Sequence, residues 1–268
     1  ADEVSAATEF GHVHGLGIDP LSGTVFAAAH NGVWKLPALG SAAVPESALV
    51  GPIAARAQDT MGFTIVGDRM LASGHPDPLE YPDLTPANLG LLESYDGAKT
   101  WDAISGWGET DFHDISAVQQ ESGALHVYGN HAGTVWFSLD GGQTWGVGAQ
   151  LGLRDLVADP TEAGTVYATT ETGLMISTDN GATFAALPDA PALYLVDAGA
   201  NGDLVGVDIS GAIWTHPAGG TWLSTGAVEG VVDALLYSSE LQTLVAYDSR
   251  GIVVSNDLGA GWAILVSR

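Results

Sequence analysis

The chain is expected to be all-β, a six-bladed β-propeller of four-stranded blades with Asp-box turns. Three observations predict this. A motif of the form S-x-D-x-G-x-T-W returns at near-constant spacing, the stretches between copies alternate in the manner of strands, and a unit lacking the motif precedes the first copy. The clearest copies run over residues 138–145 and 177–184. Residues 94–101 carry Ala98 in place of the Gly, 255–262 carry Gly261 in place of the Thr, and 215–222 keep only Gly219, Thr221 and Trp222. Starts at 94, 138, 177, 215 and 255 give steps of 44, 39, 38 and 40 residues. A period near 40 with one turn motif per unit signals a radial array of small sheets.

The elements follow in order. The first unit has strands at 24–29 and 32–36, whose Gly32-Val33-Trp34 mirrors Gly133-Thr134-Val135-Trp136 of a later unit. Two insertions break the rhythm: residues 38–57 lengthen the end of the first blade, and the Pro-rich stretch 76–88 separates the second and third strands of the second. Loops of that length in a compact domain are often functional, and 76–88 is expected to form a lid on the top face. The fourth unit serves as the template: an inner strand at 153–158, then strands at 165–170, 174–177 and 183–187, with β-branched residues inside and Gly, Asp, Asn and Pro at the turns. In each box the carboxylate of Asp96, Asp140, Asp179 or Asp257 is expected to hold the backbone N–H groups of a tight turn, while the aromatic residue packs between sheets. A single propeller domain over 1–268 is the expected organisation.

Charge and composition narrow the function. Against 32 Asp and Glu stand 7 Lys and Arg, a formal net charge of −25. Such a surface repels nucleic acid and anionic lipid, so neither is an expected partner, whereas a basic protein is compatible with it. The chain has no Cys, which removes disulfides, thiolate chemistry and Cys-ligated metals. No apolar run approaches the length needed to span a bilayer as a helix. An Ala-Asp-Glu beginning is compatible with a cleaved export signal, and a monomer is expected.

The eight histidines are not scattered. In a propeller the turn between the second and third strands shares one face with the head of the inner strand, and the Asp boxes lie on the other. Aligning the units on their boxes places His30, His75, His131 and Glu171 at the end of the second strand, and His14, Met61, His113 and Arg154 at the head of the inner strand. His12 precedes His14 by two residues, so on a strand both rings project to one side. Six histidines therefore fall on one face in three consecutive units, leaving His126 within a strand and His216 inside a box turn. Neutral imidazoles converging on a cleft suit Zn, Cu, Ni or Fe. His14, His75 and His113 are the expected ligands; His12, His30 and His131 come next, as ligands of a second metal. Asp59, Asp77 and Asp111 would orient imidazoles or serve as bases. An all-imidazole site suits Zn(II) or Cu(II), and Met61 beside it adds a soft donor favouring copper.

These stretches also carry a resemblance. His12-Val-His14-Gly-Leu-Gly-Ile-Asp-Pro20, Asp59-Thr-Met61-Gly-Phe63 and Gly74-His75-Pro-Asp77 resemble exported bacterial Asp-box (BNR-like) propellers, often labelled glycosyl hydrolase or sialidase-like. So do Gly90-Leu-Leu-Glu93-Ser94 and Gly108-Glu109-Thr-Asp111-Phe-His113. The resemblance implies the propeller fold and an extracytoplasmic setting. A sialidase needs three arginines around the substrate carboxylate, and of the five present only Arg154 maps to the mouth, with Arg250 at its rim. A neutral-sugar glycosidase needs only two carboxylates about 5–10 Å apart, which Asp59, Asp77, Glu109, Asp111 and Asp114 could supply. Three readings thus stand side by side: a metal-binding propeller, a protein-docking scaffold and a glycoside hydrolase.

Overall fold

The computed structural model describes residues 9–77 and 79–268; Ala1, where the export signal would end, lies outside them. The chain folds into six antiparallel sheets arranged as a six-bladed β-propeller. The first blade holds β1 (Val13–Ile18), β2 (Val25–Ala29) and β3 (Gly32–Lys35). After the short β4 (Val44–Pro45), the second holds β5 (Asp59–Val66), β6 (Arg69–His75), β7 (Leu91–Ser94) and β8 (Asp102–Ser105). The third runs through β9 (Asp114–Gln119), β10 (Leu125–His131), β11 (Thr134–Ser138) and β12 (Gly146–Gln150). The fourth consists of β13 (Asp155–Ala158), β14 (Val166–Thr170), β15 (Gly173–Ser177) and β16 (Ala185–Ala186). The fifth consists of β17 (Leu193–Ala198), β18 (Leu204–Asp208), β19 (Ala212–His216) and β20 (Leu223–Ala227). The sixth comprises β21 (Ala234–Ser238), β22 (Thr243–Asp248), β23 (Gly251–Ser255) and β24 (Ala263–Ser267). Each inner strand packs on the next, from β1 through β5, β9, β13 and β17 to β21, which returns to β1.

The pattern of four-stranded blades holds, with one irregularity at the seam. The first sheet has three strands and the sixth has five, because β4 lies parallel to β24 with Val44 opposite Val266. The cause is in the sequence: no Asp box follows β3, so nothing turns the chain back as an outer strand. The insertion at 38–57 instead crosses the seam and covers the outer edge of the last blade. Covering an edge satisfies backbone groups that would otherwise be open to pairing with another chain. The seam is sealed by a joint core of Phe10, Val13 and Trp34 from one side with Val245, Ile252 and Val266 from the other. Phe10 and Trp34 meet edge to face, with centroids 5.3 Å apart.

The box turns have the expected geometry. In the third blade the Ser138 hydroxyl donates to Asp140 Oδ1 (2.7 Å) and accepts from the Gly142 N–H (2.8 Å), while Oδ1 accepts the Thr144 N–H (2.9 Å). The Thr144 hydroxyl donates to Oδ2 at 2.6 Å. The same bonds recur around Asp96 and Asp179, and around Asp257 with the Gly261 N–H taking the Thr position. Thr100 and Thr144, with the neighbouring backbone, hold Asp96 and Asp140 down to about 2, so both carboxylates stay charged to low pH.

A second carboxylate pattern ties the inner strands together. Asp114 accepts the Leu156 N–H at 2.6 Å, Asp155 the Val196 N–H at 2.7 Å, and Asp197 the Tyr237 N–H at 2.7 Å. In each case an acid on one inner strand caps the backbone of the next. The three acids line a common cavity along the inner strands. Burial pushes Asp114 up to about 6 and Asp197 up to about 7; burial and the neighbouring Asp114 charge raise Asp155 as well.

Candidate metal centre at the channel mouth

The inner strands set the site by bulging. β1 pairs Val13 with Ala29 and then Gly15 with Ala28, so His14 is an extra residue in its strand. Met61 occupies the same extra position in β5, between Thr60 and Gly62, and Tyr194 occupies it in β17. A bulge breaks the two-residue alternation and re-aims one side chain. Here it turns His14 and Met61 into the mouth, where both line a cavity of about 210 Å³ with His12, His113, Arg154 and Asp233. Opposite the second bulge, Gly74 has φ +143°, and a Cβ there would meet the Asp59 carbonyl oxygen at 2.0 Å. Only glycine lets the chain deliver His75 at that point.

Two nests form at successive blade seams. In the first, His30 Nδ1 lies 2.9 Å from Asp59 Oδ1, and His14 Nε2 lies 3.4 Å from both atoms. His12, His14 and His30 each offer a nitrogen within 4.8 Å of the others, and among the described residues this is the group of three that could hold a metal ion. In the second nest, His75 Nε2 and His113 Nε2 lie 3.4 and 2.8 Å from Asp111 Oδ2. The seams are related by the repeat, because a histidine ending the second strand of one blade meets an aspartate heading the inner strand of the next. The expected trio of His14, His75 and His113 is thus divided: His14 stands with His12 and His30, whereas His75 and His113 share Asp111.

His12 stands between His14 and Asp233. Asp233 Oδ1 lies 3.3 Å from His12 Nε2, and His12 Nδ1 lies 3.4 Å from His14 Nδ1. The far nitrogen of His14, Nε2, faces His30 and Asp59. A histidine ligand whose other nitrogen is held in this way is oriented and made more basic. Burial works to raise the Asp59 pKa, but hydrogen bonds from His14 and His30 outweigh it and hold the carboxyl below its usual range. His113 is raised, first by its hydrogen bond to Asp111 and against the effect of burial.

The remaining expected residues separate by role. His131 Nδ1 sits 2.8 Å from the Asp111 carbonyl and 3.2 Å from its N–H, fixing the backbone at the head of β9. Arg154 lies over the Tyr194 ring at 4.6 Å, and Glu171 is exposed in the turn between β14 and β15. Asp77 does not orient an imidazole; its carboxylate accepts the Leu79 N–H at 2.8 Å and shapes its own loop. That loop stands on the Tyr81–Trp107 pair (5.0 Å) and the Arg56–Glu80 ion pair (3.2 Å). It reaches the histidines through the Ala87 carbonyl, 2.8 Å from His75 Nδ1. The His30 and His113 side chains stay 48% and 52% exposed, so the mouth is open. Asp248 is buried and paired with Arg250 at 2.6 Å. Among the described residues no helix is long and apolar enough to cross a membrane.

Comparison with known proteins locates the fold. No protein-family model matches the chain. It is 30% identical over 146 residues to the xyloglucanase of Hypocrea jecorina (strain QM6a), which is 47% of this chain and 17% of that protein. The chain therefore matches less than a fifth of that relative's length. Among solved structures, a gluconolactonase from Xanthomonas campestris superposes with a TM-score of 0.63 and 13% identity, covering 91% of this chain and 86% of the other. The GH74 xyloglucanase from the same organism gives 0.58 and 17% over 97% and 46%. YCF48 from Cyanidioschyzon merolae gives 0.50 and 12% over 76% and 70%. At these identities the structural likeness establishes the fold, and a propeller fold alone does not fix an activity.

Proposed function

We propose that this protein binds a transition-metal ion at the mouth of its channel, outside the cytoplasm. One observation carries the reading: His14 Nε2, His30 Nδ1 and Asp59 Oδ1 lie 2.9–3.4 Å from one another. Ligand bonds of about 2.0–2.1 Å put neighbouring donor atoms roughly 2.9 Å apart in square or octahedral geometry and roughly 3.3 Å apart in tetrahedral geometry. The nest therefore has the spacing of a coordination sphere before any ion enters. His14 would ligate through Nε2, His30 through Nδ1 after releasing its proton, and Asp59 as a carboxylate already ionised. Met61, which lines a cavity with His12 and His14, favours copper over zinc. The test is a competition titration with Cu(II) and Zn(II) on the wild type and on a His14→Ala, His30→Ala double variant. Affinity at this nest should fall by at least about 100-fold in the double variant. Unchanged affinity would refute the assignment and favour a scaffold that docks a basic protein.

A second reading has its own observation. Tyr81 and Trp107 are 42% and 38% exposed and, with Trp101, Glu80 and Asp102, line a cleft beside the insertion loop. Aromatic rings flanked by carboxylates suit a sugar ring, and the partial similarity to a xyloglucanase agrees with saccharide binding. Calorimetry with xyloglucan oligosaccharides tests it: heat that disappears in Trp107→Ala supports it, and no heat refutes it.

A further inference from the structure

We propose that the Asp111 nest is a second cation site, related to the Asp59 nest by the propeller repeat. The inference rests on the same reading of the mouth as a metal-binding surface, but on different residues.

The argument begins at His75. Its Nδ1 faces the Ala87 carbonyl at 2.8 Å, and a carbonyl oxygen only accepts, so the hydrogen of the neutral ring is on Nδ1. Its Nε2 then carries a lone pair, yet that atom points at Asp111 Oδ2, 3.4 Å away. A carboxylate oxygen is also an acceptor only. Two lone pairs facing each other need a cation between them, either a proton on the imidazole or a metal ion.

Asp111 supplies the second, independent observation. The residue is 9% exposed, and its Oδ1 is buried with no hydrogen-bond partner. Its other oxygen is contacted by both His75 Nε2 and His113 Nε2. A buried ionised carboxylate with an unused oxygen is costly unless something positive engages it. One bound ion that draws His75 Nε2 and His113 Nε2 together on Asp111 would engage both imidazoles and the carboxylate. The nest is also held in place from behind: Ser73 Oγ accepts the Phe112 N–H at 2.9 Å, and His131 brackets the Asp111 backbone. The ligand class is a divalent ion that accepts two imidazoles and one carboxylate, as Zn(II) and Cu(II) do.

The repeat explains why there are two nests. His30 against Asp59 and His75 against Asp111 occupy the same positions at the first and second seams. At the third seam the equivalent His131 faces the Asp111 backbone of its own blade.

Native mass spectrometry with Zn(II) as the probe counts ions per chain in the wild type, in His75→Ala/His113→Ala and in His14→Ala/His30→Ala. Circular dichroism checks the fold of each. The expected result is two ions in the wild type and one in each double variant, with Asp111→Asn matching the His75/His113 pair. One ion in the wild type, retained in His75→Ala/His113→Ala and lost in His14→Ala/His30→Ala, overturns this site and leaves the Asp59 reading standing. One ion lost only in His75→Ala/His113→Ala supports this site and overturns the other. No bound ion in the wild type overturns both.

Discussion

His14 shows how a single residue converts strand geometry into chemistry. As an ordinary strand residue it would take its turn in the alternation; as a bulge residue it turns its ring toward the mouth, between His12 and the His30–Asp59 pair. Behind the ring stand His12 and, beyond it, Asp233, which bear on the nitrogen facing away from Asp59. Asp233→Asn removes the charge beside His12 while preserving side-chain size. Such outer partners typically govern about 10- to 100-fold in metal affinity. Asp233→Asn is therefore expected to weaken the Asp59 nest about 10-fold with unchanged stoichiometry, read by competition against a chelator of known affinity. An unchanged affinity would mean that the His12–His14 contact does not orient the ring. The sequence disclosed the histidine face but not this wiring. Spacing put His12 and His14 on one side of the chain, whereas the partners of each ring come from neighbouring blades.

At the scale of the strands, the propeller is joined by side chains that bond to a neighbouring blade's backbone. Asp114, Asp155 and Asp197 do this on three successive inner strands. The arrangement has a consequence for pH. Asp197 has a folded-state pKa of about 7, above the ordinary carboxylate value of 3.8. The folded state thus binds the Asp197 proton more tightly than the unfolded chain does, so its contribution is complete below 3.8 and is lost as pH rises through about 7. Asp197→Asn keeps an oxygen to accept the Tyr237 N–H and cannot ionise. Its melting temperature relative to the wild type should therefore rise steadily between pH 4 and pH 7, as differential scanning fluorimetry would register. A difference that stays constant across that range would show that Asp197 does not titrate in the folded state. The Asp boxes act in the opposite sense: Asp96 and Asp140 stabilise above 3.8 and lose that contribution as pH falls through about 2. These boxes were legible as turns because every part of each box lies within eight residues. The acid bonds between inner strands were not, because each spans about 40 residues and no short motif marks it.

The blades form a ring whose strand count departs from four in one place, at the seam. The missing box after β3 was visible in the sequence, yet its effect was not: β4 makes a two-residue parallel pairing to β24, too short to leave a pattern. The same repeat that builds the ring also places an imidazole and a carboxylate at corresponding points on two seams, and so turns structural periodicity into paired candidate metal sites. The most direct test of that account is anomalous diffraction from crystals soaked in Cu(II) or Zn(II), collected on both sides of the metal's absorption edge. The predicted result is a peak about 2.0–2.1 Å from His14 Nε2, His30 Nδ1 and an Asp59 oxygen. The absence of any peak at the channel mouth, with ions found only at scattered surface carboxylates, would contradict it.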